Sequence, residues 1–220
     1  MIERPDGPVV GVILAGGLAR RMGGGNKCLL EVGGHPLLAH VIARVAPQVD
    51  GLLLNANADP ADFQSFGLPV AKDIVEGHAG PLAGMLTGLV WARDHLPASQ
   101  WVLSVAADTP FVPRVLVRHL MTAVRQEKAP LALARSGGRR HPVFALCSIE
   151  LLDDLEMAVM EEGIRKVTDW TDRHPVAYAD FPVTPFDPFF NINTEDDLHA
   201  AEDLLRSDGI DAVRHDGGLA

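Results

Sequence analysis

The sequence predicts an α/β protein built on one mostly parallel sheet, and three features carry this prediction. Short apolar runs alternate along the chain with stretches whose apolar residues recur at helical spacing. The runs are apolar throughout rather than at every second position, as expected for strands covered on both faces. With 220 residues, 47% of them hydrophobic and 22% charged, the chain suits one large core better than two small ones.

The first half of the chain gives the clearest elements. The predicted strands cover residues 9–14, 51–55, 101–106 and 131–134. The predicted helices lie within residues 36–45, 80–95 and 113–126. Beyond about residue 135 we expect a basic turn (SGGRRH), a strand over 142–146, two helices, a strand near 176–180 and a closing helix over 194–206. Because no flexible linker separates the halves, we predict one domain over 1–206, with halves of about 9–135 and 136–206, and a flexible tail over 207–220.

Charge and composition exclude several classes of protein. The formal net charge of −10 argues against nucleic-acid binding, which needs clustered Lys and Arg. No apolar run approaches the roughly 20 residues that span a bilayer, and no secretory leader pattern opens the sequence, so we expect a cytoplasmic protein without membrane contact. Cys28 and Cys147 form no C-x-x-C pair, which predicts reduced thiols rather than a disulfide or zinc site.

A loop rich in glycine and arginine follows the first strand, in VILAGGLARRMGGGNKCLLEV over residues 12–32. It is not a Walker A loop, because Asn26 precedes Lys27 and Cys28 follows it, and it lacks the dinucleotide spacing G-x-G-x-x-G. Glycines let backbone N–H groups approach an anion, and nearby cations add charge, so the loop predicts a phosphate site. The residues concerned are Gly16, Gly17, Gly23, Arg20, Arg21 and Lys27. The alternative is a surface loop with solvated arginines.

Three polar residues follow strand-like runs and should meet at the carboxyl edge of the sheet. Asp108 closes WVLSVAAD and offers a hard oxygen ligand suited to Mg²⁺, although it could instead cap the helix near Pro113. Asn55 and Asp73 follow GLLLN and PVAKD, and could equally be turn residues.

Three further segments contain candidate binding residues. GPLAGM contains Gly80 and Gly84 around a helix start, where free N–H groups could hold an anion or glycines could simply allow tight packing. Arg139, Arg140 and His141 form a basic cluster that could bind a phosphate or be a solvated turn. Asn191 and Asn193 precede the last helix, for which Thr194 is the predicted N-cap.

The loop pattern L-A-G-G-x-x-x-R-M-G-x-x-K resembles that of the sugar-nucleotide type of nucleotidyltransferases. Further segments narrow the resemblance to the molybdenum cofactor guanylyltransferase family: NAN (55–57), KD (72–73), GPLAGM (80–85), DTPF (108–111), RHPVFAL (140–146) and FNINTEDDL (190–198). They run in family order from residue 9 to about 206. Where other members often have Ser in the loop, this chain has Leu18, Ala19 and Arg20, which removes one phosphate contact.

The resemblance implies a three-layer α/β/α domain with a Rossmann-like nucleotidyltransferase sheet. It implies transfer of GMP from GTP to molybdopterin with release of pyrophosphate, assisted by Mg²⁺ on Asp108. The implied catalytic residues are Lys27, Arg21 and Asp108. The implied nucleotide-binding residues are Leu14, Ala15, Gly16, Gly17, Gly23, Lys27, Asn55, Asp73 and Asp108. The implied acceptor-binding residues are Gly80, Gly84, Arg139, Arg140, His141, Asn191 and Asn193.

Two alternatives remain open from the residues alone. A cytidylyltransferase acting on the same cofactor could use the same loop, since base choice depends on hydrogen bonds within the pocket. A carrier that binds GTP without turnover would have less need of a metal carboxylate such as Asp108.

The resemblance also implies contacts with proteins that insert molybdenum and with apo-molybdoenzymes or their chaperones.

Overall fold

The computed structural model of the chain describes residues 7–16, 26–75 and 80–207. Its strands are β1 (Val9–Leu14), β2 (Glu31–Val32), β3 (His35–Pro36), β4 (Gly51–Asn55), β5 (Val70–Ala71), β6 (Trp101–Ala106), β7 (Leu131–Ser136), β8 (Arg139–Ser148) and β9 (Val176–Phe181). Seven of them form one sheet in the order β5-β4-β1-β6-β8-β7-β9, and β2 pairs with β3 separately. Within the large sheet β8 runs antiparallel to both neighbours, whereas the other adjacent pairs are parallel.

Helices cover both faces of the sheet. They are α1 (Leu37–Val45), α2 (Pro81–His95), α3 (Leu116–Glu127), α4 (Leu152–Met160), α5 (Val167–Thr171) and α6 (Glu195–Ser207). One apolar core joins the sheet to α1 and α3, the other joins it to α2, α4 and α5, and a third, smaller core lies under α6. Strand β1 supplies both large cores, with Val9 and Ile13 on one side and Val10 and Val12 on the other. This confirms the predicted α/β fold and its doubly buried first strand.

The second half of the chain differs from its predicted layout in one place. The predicted basic turn is confined to Gly137 and Gly138, whose φ angles of 53° and 79° close a two-residue hairpin. Residues 139–141, expected in the turn, instead begin β8, so this strand is longer than the predicted 142–146. Its pairing with β7 jumps from Ala145 to His141, which leaves a bulge over 142–144. Bulges re-aim strands beside functional sites.

Several strand ends meet at one edge of the sheet. β1, β4 and β6 end there at Leu14, Asn55 and Ala106, because they run parallel. β8 runs the other way, so its first residues, from Arg139, reach the same edge. The closing helix reaches Ser207, and the rest of the predicted tail lies outside the described residues. Within the described ranges, no helix combines the length and apolar character needed to cross a bilayer.

Candidate active site

The centre of the site is an ion pair between Lys27, which begins a 3-10 helix, and Asp108, just beyond β6. Lys27 Nζ lies 2.5 Å from Asp108 Oδ2, and it also donates to Asn193 Oδ1 at 2.6 Å and to Asn191 Oδ1 at 3.1 Å. Exposure of the lysine and aspartate side chains is 11% and 21%, so solvent screens the pair only partly. The structure thus brings together four of the predicted site residues, two from each half of the chain.

The N-terminus of α6 and the backbone of Asp108 hold the segment that carries the two asparagines. Thr194 Oγ1 accepts a hydrogen bond from Asp197 N, which confirms Thr194 as the N-cap. Asp197 Oδ2 accepts in return from the backbone N of Asn193 and of Thr194. Burial alone would raise the pKa of Asp197, but these hydrogen bonds outweigh burial and lower it. Ile192 N donates to the backbone O of Asp108, so the asparagine segment is tied directly to the metal candidate.

Asp108 retains one carboxylate oxygen for a further ligand. Its Oδ1 is buried and has no hydrogen-bond partner among the described residues. Such an atom is costly unless something binds it. The described part of the chain contains no cluster of three or more His, Cys, Asp or Glu side chains suited to a metal. Asp108 could hold a divalent cation through this hard oxygen ligand.

A second polar cluster lies at the end of β4. Asn55 Nδ2 donates to Asp73 Oδ1 at 2.9 Å, and Asn57 Nδ2 donates to Asp73 Oδ2 at 2.7 Å. Asn57 Oδ1 also accepts from Asp73 N. Both oxygens of Asp73 are thereby oriented and retain lone pairs for another donor. Asn57 belongs to the NAN motif and was not among the predicted site residues.

Helix α2 packs tightly beneath this cluster. A Cβ on Gly84 would lie 2.3 Å from Asn55 Oδ1 and 2.7 Å from Leu14 Cδ2, so only glycine fits there. Gly84 thus has a packing role beside a predicted nucleotide residue. Gly80 precedes the helix with a φ of 73°, a conformation that favours glycine, and it is exposed. The acceptor-binding roles of both glycines stay predictions.

The predicted basic cluster is divided between the two faces of the sheet. Arg140 donates to Asp172 Oδ1 at 2.8 Å and lies 3.4 Å from Tyr178 Oη, on the face of α4 and α5. Arg139 and His141 flank it on the strand and therefore point to the opposite face. Arg139 is exposed, whereas His141 is 8% exposed. The three residues do not form one cationic surface.

His141 belongs to a buried chain of polar groups. Ser136 Oγ donates to Asp187 Oδ1 at 2.9 Å and lies 2.6 Å from His141 Nε2, so Nε2 carries the proton of that contact. The imidazole stacks on Phe189 with ring centroids 4.5 Å apart. Burial lowers the pKa of His141, and Asp187 opposes this effect. No sequence signal linked Ser136 to Asp187, 51 residues away.

The start of the glycine-rich loop is fixed by the sheet. Ala15 N donates to Asn55 O at 2.8 Å, which places Leu14, Ala15 and Gly16 beside the end of β4. The predicted Gly17, Arg21 and Gly23, together with Arg20, lie outside the described residues. Cys28 and Cys147 are free thiols, as predicted. Both are also buried, and burial raises their pKa values to about 11 and about 12.

A family model and a highly similar relative indicate the same family. The model of the MobA-like NTP transferase domain matches residues 11–176. A molybdenum cofactor guanylyltransferase of Bradyrhizobium sp. (strain ORS 278) is 54% identical over 204 residues, which cover 93% of this chain and 96% of that protein.

Solved structures share the fold. Molybdopterin-guanine dinucleotide biosynthesis protein A of Archaeoglobus fulgidus superposes with a TM-score of 0.68 at 26% identity, covering 90% of this chain and 98% of that one. A Mycobacterium tuberculosis protein solved in complex with manganese gives 0.65 at 19% identity, covering 89% and 98%.

Proposed function

This chain belongs to the molybdenum cofactor guanylyltransferase family, and we propose that it transfers GMP from GTP to molybdopterin at the centre formed by Lys27 and Asp108. One observation carries the proposal: a largely buried ammonium meets a carboxylate at the carboxyl edge of the sheet, and one oxygen of that carboxylate has no partner among the described residues. Ligands of open α/β sheets bind at that edge. The glycine-rich loop starts there as well, so a triphosphate would meet cations and backbone N–H groups together.

The reaction asks the protein mainly for positioning and charge stabilisation. An oxygen of the acceptor's terminal phosphate forms a bond to the α-phosphorus of GTP, and the bond from that phosphorus to the bridging oxygen of the β-phosphate breaks, releasing pyrophosphate. The attacking phosphate is already ionised at neutral pH, so no side chain needs to remove its proton. We propose that Lys27 neutralises part of the negative charge of the triphosphate, because a preorganised cation at this place stabilises the transition state. Arg21 remains a second proposed catalytic cation.

Asp108 would hold the divalent cation of this family through its buried oxygen, and we propose Mg²⁺ as that cation. A carboxylate is a hard ligand, and a single carboxylate completed by water and phosphate is a usual arrangement for Mg²⁺. When bound, the cation supplies charge neutralisation at the phosphoryl group. The manganese complex of the Mycobacterium tuberculosis protein is consistent with a divalent cation in this fold.

We assign the guanine base to the cluster around Asp73. Guanine presents two adjacent donors, N1–H and the 2-amino group, and a carboxylate held by Asn55 and Asn57 can accept from both. Cytosine has acceptors where guanine has these donors, so an oriented Asp73 favours GTP over CTP.

For molybdopterin we propose Arg139, Asn191 and Asn193 as the residues best placed to contact it. Arg139 is an exposed cation at the same edge of the sheet. Both asparagines accept hydrogen bonds from the Lys27 ammonium, which also contacts Asp108. Gly80, Gly84, Arg140 and His141 remain predicted acceptor residues with the packing or pairing roles described above. Contacts with molybdenum insertion proteins and with apo-molybdoenzymes or their chaperones also remain predictions.

The test is direct transfer. Purified protein is incubated with molybdopterin, Mg²⁺ and each of the four nucleoside triphosphates, and the dinucleotide is identified by mass. We expect the guanine dinucleotide and pyrophosphate, lost in Lys27→Ala and Asp108→Asn. Formation of the cytosine dinucleotide instead would show that the assignment of guanine to Asp73 is wrong. Full activity of both variants would show that Lys27 and Asp108 are not the reaction centre.

A further inference from the structure

The donor capacity of Lys27 is fully used in this structure. An ammonium has three N–H groups, and Nζ has three side-chain acceptors, on Asp108, Asn191 and Asn193. Under the proposed function the same ammonium binds phosphate oxygens. A phosphate oxygen that takes one of these N–H groups must therefore displace a side-chain oxygen from it.

The two asparagines cannot readily follow the lysine toward a ligand. The backbone N of Asn193 is held by Asp197 at the N-terminus of α6, and Ile192 between the asparagines is held by the backbone of Asp108. The side chain of Lys27 is long and rotatable, whereas its three acceptors sit on anchored backbone. The lysine is the partner that moves.

We propose that Asn191 and Asn193 are positioning residues that retain Lys27 against Asp108 and compete with the triphosphate for its ammonium. The inference rests on the proposed function of Lys27 in binding phosphate. Arrival of the triphosphate draws Lys27 away, and this frees the second oxygen of Asp108, beside the one that would hold the cation, and the two asparagine oxygens, which can then accept from the acceptor. GTP therefore binds first, and its binding raises the affinity for molybdopterin.

If the asparagines compete for Lys27, removing one of them changes GTP affinity in the opposite direction from removing a residue that contacts GTP. Removing a side chain that competes for Lys27 makes GTP bind more tightly, because the binding-competent position of the lysine is populated more. Removing a residue that contacts GTP weakens binding. Removing a residue that contacts only the acceptor leaves GTP binding unchanged.

The experiment is calorimetric titration of the full chain with GTP in Mg²⁺ and without acceptor, so that no turnover occurs. We expect Asn193→Ala to bind GTP roughly 5-fold more tightly than the parent, by relief of this competition. Asn191→Ala should show a smaller gain, because its contact is 3.1 Å rather than 2.6 Å. In a Lys27→Met background, where no ammonium remains to be held, Asn193→Ala should have no effect on GTP affinity.

Two controls keep the outcomes distinct. Asn57→Ala removes an asparagine that contacts Asp73 and not Lys27, and it should weaken GTP binding. Thermal melting of Asn193→Ala should show only a small decrease, because the variant loses its contact with Lys27 but keeps the backbone hydrogen bond to Asp197. Unchanged or weaker GTP binding by Asn193→Ala, or a gain that persists without Lys27, overturns the inference alone. A parent chain that does not bind GTP overturns the proposed function, and the inference with it.

Discussion

Replacing Gly84 with alanine tests whether the first turns of α2 support the nucleotide side of the site. The new Cβ would lie 2.3 Å from Asn55 Oδ1 and 2.7 Å from Leu14 Cδ2. Overpacking of this kind costs about 1 to 3 kcal/mol, and alanine recovers about 0.8 to 1.0 kcal/mol of helix propensity. The net loss in the free energy of unfolding is then about 0 to 2 kcal/mol, which lowers Tm by about 0 to 8 °C for a domain of this size.

The effect on nucleotide binding should be larger than the effect on stability. Asn55 is 4% exposed and has little room, so its side chain must turn and give up its contact with Asp73. Asp73 is then no longer oriented toward the base. Loss of one hydrogen bond from the base to this carboxylate would cost about 1.5 to 3 kcal/mol, which corresponds to a roughly 10- to 100-fold loss of GTP affinity. The assay is calorimetric titration with GTP in Mg²⁺, alongside thermal melting.

Gly88→Ala is the matched control. Its Cβ would lie 2.7 Å from Val12 Cγ1, so it strains the same helix against β1 without reaching Asn55. We expect a similar change in Tm and a parental GTP affinity. The reasoning is refuted if Gly84→Ala binds GTP normally, and a raised KM for molybdopterin in that variant would support its predicted contact with the acceptor instead.

Three further predictions follow from the site and its surroundings. Asp108→Asn should reduce transfer by several orders of magnitude, because it weakens the proposed cation site. It should also lower the free energy of unfolding by about 1 to 3 kcal/mol, because Lys27 loses its charged partner. An active variant with a lower Tm would show that Asp108 has only a structural role. Arg139→Ala should raise the KM for molybdopterin more than Arg140→Ala does, because Arg140 is already paired with Asp172. The opposite ranking would make Arg140 the main contact with the acceptor. Burial lowers the pKa values of His40 and His141 below 6.5, so the unfolded chain binds more protons and stability should fall as pH decreases below that value. Urea unfolding at pH 7.5 and 5.5 measures this, and His40→Gln should flatten the dependence.

The parts of the fold that could be predicted are those with a local signal. The first strands and helices follow from apolar runs and helical spacing, and Asp108 follows from its place after β6. The predicted start of β8 was wrong because Arg139 and Arg140 are charged residues that do not indicate a strand. They are exposed, since the hairpin extends beyond the apolar core. An edge segment of this kind is stabilised by its partner strand rather than by its own composition.

Contacts between distant segments could not be predicted from single motifs. Lys27 was selected as a phosphate ligand, but its partners Asn191 and Asn193 lie 164 and 166 residues further along the chain. Their meeting depends on Ile192, which is buried under α6 and fixes the segment beside Asp108. The same holds for His141, which stacks on Phe189 and is linked to Asp187 through Ser136. Motifs gave the residue types, and the packing of α6 determined which of them interact.

The guanine selectivity of the site depends on how many donors Asp73 can accept. Its two oxygens are held by Asn55 and Asn57, so a base with two adjacent donors fits better than one with a single donor. Inosine triphosphate lacks the 2-amino group and should bind roughly 10- to 100-fold more weakly than GTP, because it loses one hydrogen bond to a charged acceptor. Asp73→Asn replaces one acceptor by a donor, and we expect it to bind GTP and inosine triphosphate with similar, weaker affinities. The measurement is competition titration with both nucleotides, and a parent chain that binds them equally would show that Asp73 does not contact the 2-amino group.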